Sequence, residues 1–405
     1  MSLNDTASGD RIHIGFFGLR NAGKSSIVNA VTSQEMSVVS EVKGTTTDTV
    51  RKSMEILPLG PVVIIDTPGI DDEGSLGEKR IQAARKITTN CDIAILVTEC
   101  GKEIHPAEKE LIQVFEQRKI PWLIVRNKTD LCPQKGTEEK ENVVFTSAKT
   151  GQGIQELKEK IGHLLKPEQI KGLLLDDLVC PGDIVVLVTP IDASAPKGRM
   201  ILPQQMLIRD VLDRNAVSLV TKETELEKAL GMLHSSGQKP ALVVTDSQVF
   251  AYVKKVVPEE IPLTSFSILM ARYKGFLTEA VKGAGMIDHL EDGAAILISE
   301  GCTHHRQCED IGTVKLPALL KKYTGKTFSL SYSSGREYPE NIRDYDLVIH
   351  CGGCMLNAAE MQYRMKQAVQ KGVPFTNYGI AIAYMNGILE RSIRMLPEVN
   401  KEKYK

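Results

Sequence analysis

Short apolar runs rich in β-branched residues alternate with amphipathic stretches along most of the chain, and this alternation restricts the fold more than any other feature. Five such runs lie in the first part of the chain, at Ile12–Phe17, Val62–Asp66, Ile93–Thr98, Trp122–Asn127 and Val143–Ser147. Alternation of this kind is typical of βαβ units, in which helices connect parallel strands. It therefore predicts an α/β fold with largely parallel sheets.

The pattern recurs in two further series, which predicts three domains. The later runs of this type are Ile184–Thr189, Ala216–Thr221, Pro240–Thr245, Ala294–Ser299, Thr327–Tyr332, Leu347–His350 and Val373–Asn377. Helical patterns separate them, and one of these patterns predicts a single helix over Ile380–Glu390. We predict a first domain over residues 1–168, a small second domain over 178–260 and a third over 265–405. Each is expected to be a largely parallel sheet flanked by helices.

Composition excludes several classes of protein. Fifty basic and 51 acidic residues leave a formal charge of −1, so no global field favours nucleic acid or a membrane surface. No window approaches the roughly 18 consecutive apolar residues of a membrane span. Eight cysteines in 405 residues are too few for a disulfide scaffold, and the N-terminus does not read as a signal peptide. We expect a cytoplasmic protein that binds neither nucleic acid nor membrane.

A phosphate-binding pattern directly follows the first run. The segment from Gly18 to Ser25 reads G-L-R-N-A-G-K-S, which matches G-x4-G-K-[ST]. Such a loop directs backbone N–H groups and a helix N-terminus at phosphate oxygens. Lys24 is expected to neutralise the β- and γ-phosphates, and the Ser25 hydroxyl to ligate Mg²⁺. The expected contacts from this loop are Gly18, Asn21, Ala22, Gly23, Lys24, Ser25 and Ser26.

Three further motifs follow in the order that a guanine-nucleotide site requires. They are Asp66-Thr67-Pro68-Gly69, Asn127-Lys128-Thr129-Asp130 and Ser147-Ala148-Lys149. Asp66 is expected to hold the magnesium shell, and the Gly69 N–H to contact the γ-phosphate. The Asp130 carboxylate can accept hydrogen bonds from N1–H and the exocyclic amine of guanine, a donor pair that adenine lacks. Together the motifs predict GTP binding.

These motifs, with Gly44-Thr45-Thr46-Thr47-Asp48, resemble the TrmE/Era-like GTPases over about residues 10–165. The resemblance implies a P-loop GTPase domain with Mg²⁺-dependent hydrolysis, in which Thr45 and Thr46 approach the nucleotide and Thr46 ligates Mg²⁺. It also implies that Asn21 helps to hold a potassium ion beside the phosphates. Ile70 stands where Ras-like enzymes carry a water-orienting glutamine, so Glu78 is a candidate for that role. The expected catalytic residues are Lys24, Thr46, Asp66, Gly69 and Glu78.

Four of the eight cysteines fall in one 53-residue window. The window contains Cys302-Thr303-His304-His305, Cys308 and His350-Cys351-Gly352-Gly353-Cys354. Two predicted strands run into Cys302 and Cys351, and ligands collect beyond the carboxyl ends of parallel strands. Three interpretations compete: a structural zinc site on Cys302, His304, Cys351 and Cys354, a redox C-x-x-C pair, or an iron–sulfur cluster on Cys302, Cys351 and Cys354.

The C-x-H…H-C-x-x-C pattern, placed after a TrmE/Era-like GTPase domain, resembles the HydF family of GTPase scaffolds that mature FeFe-hydrogenase. The resemblance implies a 4Fe-4S cluster on Cys302, Cys351 and Cys354. The fourth ligand is left open among His304, His305, Cys308, Glu309 and His350. The resemblance further implies a transient di-iron precursor as cargo, apo FeFe-hydrogenase and two radical-SAM maturases as partners, and a homodimer or higher oligomer formed through the second domain.

Two rival interpretations keep the GTPase domain but change the function. One is an RNA- or ribosome-assembly GTPase with a C-terminal zinc site, and the other is a zinc-stabilised protein–protein switch. The near-neutral charge and the lack of a basic, aromatic-interleaved stretch in residues 260–405 count against RNA binding. The metal content of protein kept free of oxygen would separate both rivals from an iron–sulfur scaffold.

Overall fold

The fold was analysed in a computed structural model. It describes residues 11–32, 50–70, 84, 86–132, 141–165, 174–191, 200–301, 311–335, 338–339 and 341–400. The chain divides into two compact units, Met1–Lys171 and Gly172–Lys405. Three sheets flanked by helices lie in the described ranges, so the predicted α/β fold class with largely parallel sheets is confirmed. No helix of these ranges is both long and apolar enough to cross a bilayer.

The first unit contains one six-stranded sheet. Its strands are β1 (Ile12–Phe17), β2 (Val50–Ile56), β3 (Gly60–Asp66), β4 (Ile93–Glu99), β5 (Trp122–Asn127) and β6 (Val143–Phe145). Its helices include α1 (Lys24–Thr32), α2 (Pro106–Gln117) and α3 (Ile154–His163). The strand order is β2-β3-β1-β4-β5-β6, and the five runs predicted as strands are β1, β3, β4, β5 and β6. All neighbours pair in parallel except β2 with β3.

Side chains of β1 supply two apolar clusters, because successive residues of a strand point to opposite faces. Ile14 and Phe16 belong to one cluster, and Phe17 belongs to the other. The Phe17 ring lies 5.2 Å from that of Phe115 in α2, measured between centroids. The sheet is therefore covered on both faces, as parallel sheets require.

Strand β2 was not predicted from the sequence. Its residues, V-R-K-S-M-E-I, include four polar ones, three of them consecutive, and the strand pairs antiparallel with β3 at the edge of the sheet. An edge strand in this position needs few apolar residues. It therefore lacks the continuous apolar run from which the other strands of this sheet were predicted.

The second unit contains two four-stranded parallel sheets. Their strands are β7 (Ile184–Val188), β8 (Val217–Thr221), β9 (Leu242–Thr245), β10 (Leu263–Ser265), β11 (Ala295–Ser299), β12 (Ser329–Ser333), β13 (Leu347–His350) and β14 (Phe375–Asn377). The strand orders are β10-β9-β7-β8 and β12-β11-β13-β14. Strand β10 pairs with β9 although it follows residue 260, where the predicted second domain ends. The predicted domain boundaries themselves stay predictions.

Helices flank both of these sheets. They include α4 (Leu202–Asp213), α5 (Leu226–Ser235), α6 (Phe250–Val256), α7 (Phe266–Tyr273), α8 (Leu277–Gly285), α9 (Leu316–Thr324), α10 (Ala358–Val369), α11 (Tyr378–Met385), α12 (Leu389–Ile393) and α13 (Pro397–Asn400). The single helix predicted over Ile380–Glu390 is wrong, because α11 ends before this segment does and α12 begins within it. Gly387, with φ of +63°, lies between the two helices, and a left-handed residue at this position stops a helix.

One hydrophobic cluster joins both sheets of the second unit. Arg272 forms a hydrogen bond to Leu174, which belongs to this cluster. This side chain at the end of α7 is almost fully buried. Its guanidinium donates to Glu398 Oε1 at 2.7 Å, to Asp177 Oδ1 at 2.6 Å and to the Leu174 carbonyl at 2.9 Å. It therefore links the segment before β7, helix α7 and helix α13.

We expect Arg272→Met to destabilise the second unit by about 2 kcal/mol, because three hydrogen bonds of a buried cation are lost. Guanidinium chloride unfolding of the full chain, followed by circular dichroism, measures this change. Arg209→Met is the control, since Arg209 pairs with Asp213 on the surface and its loss should change stability by no more than about 0.5 kcal/mol. Equal effects of the two variants would contradict the linking role of Arg272.

Candidate functional site

The loop from Gly18 to Ser25 joins β1 to α1 and is packed closely against other strand ends. Gly18 has φ of +141° and Gly23 has φ of +93°. A Cβ at Gly18 would collide with the Val97 carbonyl oxygen, and one at Gly23 with the Asn127 amide. Both positions therefore require glycine, and the pattern G-x4-G follows from the close approach of β4 and β5.

Lys24 lies across this loop. Its side chain is buried, and its ammonium donates to the carbonyl oxygens of Gly18 at 3.1 Å and Leu19 at 2.8 Å. Ser25 and Ser26 are exposed at the start of α1, and Asn21 is exposed with φ of +62°. The predicted phosphate contacts of the loop thus share one surface at the N-terminus of a helix, where anions are favoured.

Asp66 ends β3 beside this helix. Its Oδ2 accepts a hydrogen bond of 2.6 Å from the Ser25 hydroxyl, while Oδ1 is buried and has no hydrogen-bond partner among the described residues. Burial raises the pKa of Asp66, and the Ser25 hydrogen bond and the Lys24 charge oppose this shift. A buried carboxylate oxygen beside a serine hydroxyl fits Mg²⁺, which prefers oxygen ligands.

Gly69 packs against the same loop. A Cβ at Gly69 would lie 2.8 Å from the Arg20 Cα. The Ile70 amide donates to the Gly18 carbonyl at 3.2 Å, which holds the segment after β3 along the loop. The predicted γ-phosphate contact therefore lies next to the loop that was predicted to bind the other phosphates.

Asn127 connects the phosphate loop to the two base-recognition motifs. Its amide nitrogen donates to the Ala22 carbonyl at 3.0 Å, and its amide oxygen accepts from the Ala148 N–H at 3.1 Å. The Ser147 hydroxyl in turn donates to Asp130 Oδ1 at 2.7 Å. Motifs separated by more than a hundred residues are thus joined by direct hydrogen bonds, as a shared guanine-nucleotide site requires.

Two lysines complete these motifs. Lys128 has φ of +66° and forms an ion pair with Glu99 at the end of β4, whereas Lys149 is exposed. The hydrogen bond from Lys102 and the one from Lys128 lower the pKa of Glu99. Lys128 therefore holds the Asn127–Asp130 turn to the neighbouring strand.

Several predicted site residues lie outside the described residues. They are Thr45, Thr46, Glu78, Cys302, His304, His305, Cys308 and Glu309. In the part of the chain that is described, no group of three His, Cys, Asp or Glu side chains is arranged to hold a metal ion. The placement of Cys302 and of four of the five candidates for the fourth ligand therefore stays a prediction.

Cys351 follows β13 and is held by backbone amides. Because β11 and β13 pair in parallel with Ser299 opposite His350, the chain after β11 runs beside Cys351. The Gly301 N–H donates to Cys351 Sγ at 3.1 Å, and the Gly353 N–H does so at 3.3 Å. Burial raises the pKa of the Cys351 thiol to about 11, and the two amide hydrogen bonds oppose this shift.

The loop of residues 351–354, here called the cysteine loop, suits a metal centre. Cys351 and Cys354 are both free thiols and half-buried. Two N–H donors aimed at one sulfur favour the thiolate, which is the form that binds metal, although burial keeps the pKa of the metal-free thiol raised. A Cβ at Gly301 would lie 2.8 Å from Leu356 Cγ, and one at Gly353 would collide with Met361. The loop is therefore tightly packed, and its donor set fits a thiolate-ligated cluster.

His350 is fully buried, and both of its ring nitrogens have partners. Nδ1 lies 2.8 Å from the Cys351 carbonyl oxygen, and Nε2 lies 3.1 Å from Arg364 Nη1. Because a guanidinium can only donate, Nε2 is the acceptor and Nδ1 carries the proton. Burial, together with the charges of Arg364 and Lys274, lowers the pKa of His350 to about 3, although the hydrogen bond to the Cys351 carbonyl opposes this shift. Ligation of a metal by His350 would require one of these bonds to be broken.

Two buried cations near the cysteine loop were missed by the sequence analysis. Arg364 in α10 is fully buried and donates to Glu360 Oε1 and to the Gly335 carbonyl, each at 2.8 Å. Lys274 after α7 is also buried, and its ammonium donates to the carbonyls of Gly353 and Leu356. No sequence signal separates such residues from the many solvated lysines and arginines of the chain.

Three family models match the chain in successive segments. A model described as "50S ribosome-binding GTPase" matches residues 13–128. A "Hydrogen maturase F dimerization domain" matches residues 174–275, and a "Hydrogen maturase F tetramerization domain" matches residues 278–395. The two hydrogen-maturase segments together make up more than half of the chain.

Curated relatives match mainly the GTPase segment. GTPase Der of Nitratidesulfovibrio vulgaris (strain Hildenborough) is 32% identical over 157 residues, which are 35% of this chain and 32% of that protein. The tRNA modification GTPase MnmE of Methylococcus capsulatus is 34% identical over 148 residues, 36% of this chain and 32% of that protein. The chain thus spans about a third of the length of these relatives.

Two further matches extend the comparison. GTPase Era of Thermoanaerobacter pseudethanolicus is 28% identical over 256 residues, 56% of this chain and 84% of that protein. The crystal structure of the G domain of the T. maritima FeoB iron transporter has 26% identity and a TM-score of 0.31, and the match covers 38% of this chain and 99% of that one.

The order of these matches agrees with the order of the three sheets. The first unit is a P-loop GTPase domain related to Der and Era, and it contains the joined nucleotide motifs. The dimerization and tetramerization models match residues 174–275 and 278–395, which include the cysteine loop, and they indicate a homo-oligomer. The chain belongs to the HydF family, the hydrogen maturase F proteins.

Proposed function

We propose that this protein is a GTP-hydrolysing scaffold that binds a 4Fe-4S cluster and assembles or delivers a di-iron precursor to apo FeFe-hydrogenase. The observation that carries the proposal is the cysteine loop, in which Cys351 Sγ accepts two backbone hydrogen bonds. The loop lies in the segment that matches the hydrogen-maturase tetramerization model. The thiol donors of this loop suit an iron–sulfur cluster, and the same chain contains a GTPase domain.

The first unit would bind GTP through the residues that its hydrogen bonds bring together. Asp130 would read the guanine edge, Lys24 would neutralise the phosphates, and the Ser25 hydroxyl and Asp66 would hold Mg²⁺. When bound, the metal supplies positive charge at the β- and γ-phosphates. The remaining expected roles are those of Thr46 at the metal, Asn21 at a potassium ion, Gly69 at the γ-phosphate and Glu78 at the attacking water.

The second unit would hold the cluster through Cys302, Cys351 and Cys354. Thiolates select iron–sulfur clusters, and an iron with an exchangeable fourth ligand can accept cargo. The candidates for that ligand are His304, His305, Cys308, Glu309 and His350. The two hydrogen bonds of the His350 ring favour the other candidates over His350. We propose that His350 instead fixes the carbonyl of Cys351.

The expected partners follow from the proposed cargo. They are apo FeFe-hydrogenase and two radical-SAM maturases, since this chain lacks the C-x3-C-x2-C pattern of a radical-SAM site. The rival function, an RNA- or ribosome-assembly GTPase with a zinc site, has support only in the N-terminal segment. The hydrogen-maturase matches over residues 174–275 and 278–395 and the net charge of −1 favour the maturation scaffold.

Asp66→Asn should make the nucleotide-free protein more stable while it removes Mg²⁺-dependent GTP hydrolysis. Because the pKa of Asp66 is raised in the folded state, its stabilising contribution is present at low pH and is lost as the pH rises through the folded pKa. Asparagine does not titrate, so the gain should be seen at neutral pH. Hydrolysis should fall by about a hundredfold or more, because the metal loses a charged ligand.

Urea unfolding of nucleotide-free protein at acidic and neutral pH, together with phosphate release at saturating GTP, tests this expectation. Asp213→Asn is the control, since this carboxylate pairs with Arg209 on the surface of the second unit. A variant with unchanged hydrolysis would contradict the role of Asp66.

Asp130→Asn should weaken GDP binding by about a hundredfold, because one of two charge-assisted hydrogen bonds to guanine becomes a donor–donor clash. Xanthine carries an oxygen where guanine carries its amine, so the variant should prefer xanthosine diphosphate. Fluorescent nucleotide titrations measure both affinities. If the variant kept the preference for GDP, the assignment of Asp130 to the base would be wrong.

Anaerobic reconstitution of the full chain with iron and sulfide tests the proposed function itself. The wild type should show the visible absorption and, after reduction, the paramagnetic resonance signal of a 4Fe-4S cluster. Cys351→Ser should lose most of that signal, whereas Cys180→Ser, which alters an exposed thiol, should keep it. GTP hydrolysis should be similar in all three. A Cys351→Ser protein that binds as much iron as the wild type would refute the assignment.

A further inference from the structure

Lys274 is the most unusual charged residue near the cysteine loop. Its side chain is 1% exposed, and its ammonium donates to the Gly353 carbonyl and, at 2.8 Å, to the Leu356 carbonyl. Burying an ammonium costs several kcal/mol unless its surroundings compensate the charge. A methionine could fill the same volume without this cost. The lysine at this position therefore indicates that its charge has a function.

The two carbonyl groups lie at positions that control the loop. The Gly353 carbonyl belongs to the peptide bond that joins Gly353 to Cys354. Leu356 directly precedes Asn357, whose side chain caps the start of α10 by accepting from the Glu360 N–H at 3.1 Å. Lys274 therefore connects the peptide next to one proposed cluster ligand with the N-terminus of the helix that follows.

The main chain of Lys274 is fixed from the same helix. Its carbonyl oxygen accepts a hydrogen bond of 3.0 Å from Gln362 Nε2 in α10. The following residue, Gly275, has φ of +73°, and a Cβ there would lie 2.7 Å from the same nitrogen. The side chain of Lys274 is thus bonded to the cysteine loop and to Leu356, and its main chain is bonded to helix α10, which follows. These bonds define the position of the charge.

We propose that Lys274 is a positioning residue that places a buried positive charge beside the cluster ligands Cys351 and Cys354. This inference rests on the proposed function. Three thiolates leave a four-iron cluster with a net negative charge, which increases when the cluster is reduced. A nearby buried cation stabilises that charge, and it stabilises the reduced state more than the oxidised one. Lys274 should therefore raise the reduction potential of the cluster and slow its loss.

The electrostatic effect of Lys274 extends to His350, the residue that precedes Cys351. Lys274 and Arg364 both act on His350, which holds the Cys351 carbonyl. The Arg364 guanidinium donates to His350 Nε2, while the Lys274 ammonium donates to the loop carbonyls. The cysteine loop is thus contacted by one cation through His350 and by another directly, an arrangement that suits an anionic group.

Four lysine variants separate charge from packing. Lys274→Met keeps the apolar stem and removes the charge, Lys274→Gln keeps an N–H donor without charge, and Lys274→Arg keeps the charge. Lys282→Met is the matched control, because Lys282 is exposed on α8 beside Glu279. The reconstituted full-length proteins are titrated anaerobically, and the cluster is followed by paramagnetic resonance. Lys274→Met and Lys274→Gln should have lower midpoint potentials and lose iron faster, whereas Lys274→Arg and Lys282→Met should resemble the wild type.

Gln362→Leu distinguishes the charge from a purely structural role, because it loosens the main chain of Lys274 and leaves the ammonium in place. Its midpoint potential should stay closer to that of the wild type than to that of Lys274→Met. The inference is overturned if Lys274→Met keeps the wild-type potential, or if Gln362→Leu lowers the potential as much as Lys274→Met does. Should Lys274→Met fail to fold, Lys274→Arg decides, and a lowered potential in that folded variant overturns the charge role. A wild type that binds no cluster refutes the proposed function instead.

Discussion

Parallel pairing of neighbouring strands brings together, at shared sheet edges, the candidate residues that the structure describes. In the second unit, β11 and β13 pair with Ser299 opposite His350, so the Gly301 amide reaches the sulfur of Cys351. In the first unit, β1 pairs in parallel with both β3 and β4, so the phosphate loop and Asp66 emerge at the same edge. Since carboxyl ends of parallel strands meet at one edge, short strands suffice to collect distant residues.

Buried polar groups then distinguish these edges from ordinary strand ends. Asp66 has an oxygen that is buried and accepts no hydrogen bond from the described residues, and burial raises its pKa. Lys274 is a cation held away from water beside the cysteine loop, where it donates to two carbonyl groups. Each of these arrangements costs folding free energy in the isolated chain, and such costs are concentrated where a protein binds charged ligands. We infer that Mg²⁺ relieves the first cost and that an anionic cluster relieves the second.

Much of the fold and part of the site could be predicted from the sequence, for identifiable reasons. Fully buried parallel strands such as β1 and β13 are continuous apolar runs, and a phosphate loop needs glycine at fixed spacing. The edge strand β2 and the break at Gly387 carry no such pattern. The burial of Lys274 depends on contacts with Gly353, Leu356 and Gln362, which are distant from it along the chain and which local sequence does not encode.

The proposed function requires that the cysteine loop bind an iron–sulfur cluster and not zinc. Mössbauer spectroscopy of the full chain, produced with iron-57 and purified without exposure to oxygen, tests this claim most directly when combined with elemental analysis. We expect about four iron atoms per chain, all with the Mössbauer parameters of a 4Fe-4S cluster, and little zinc. Stoichiometric zinc with no bound iron would contradict the account.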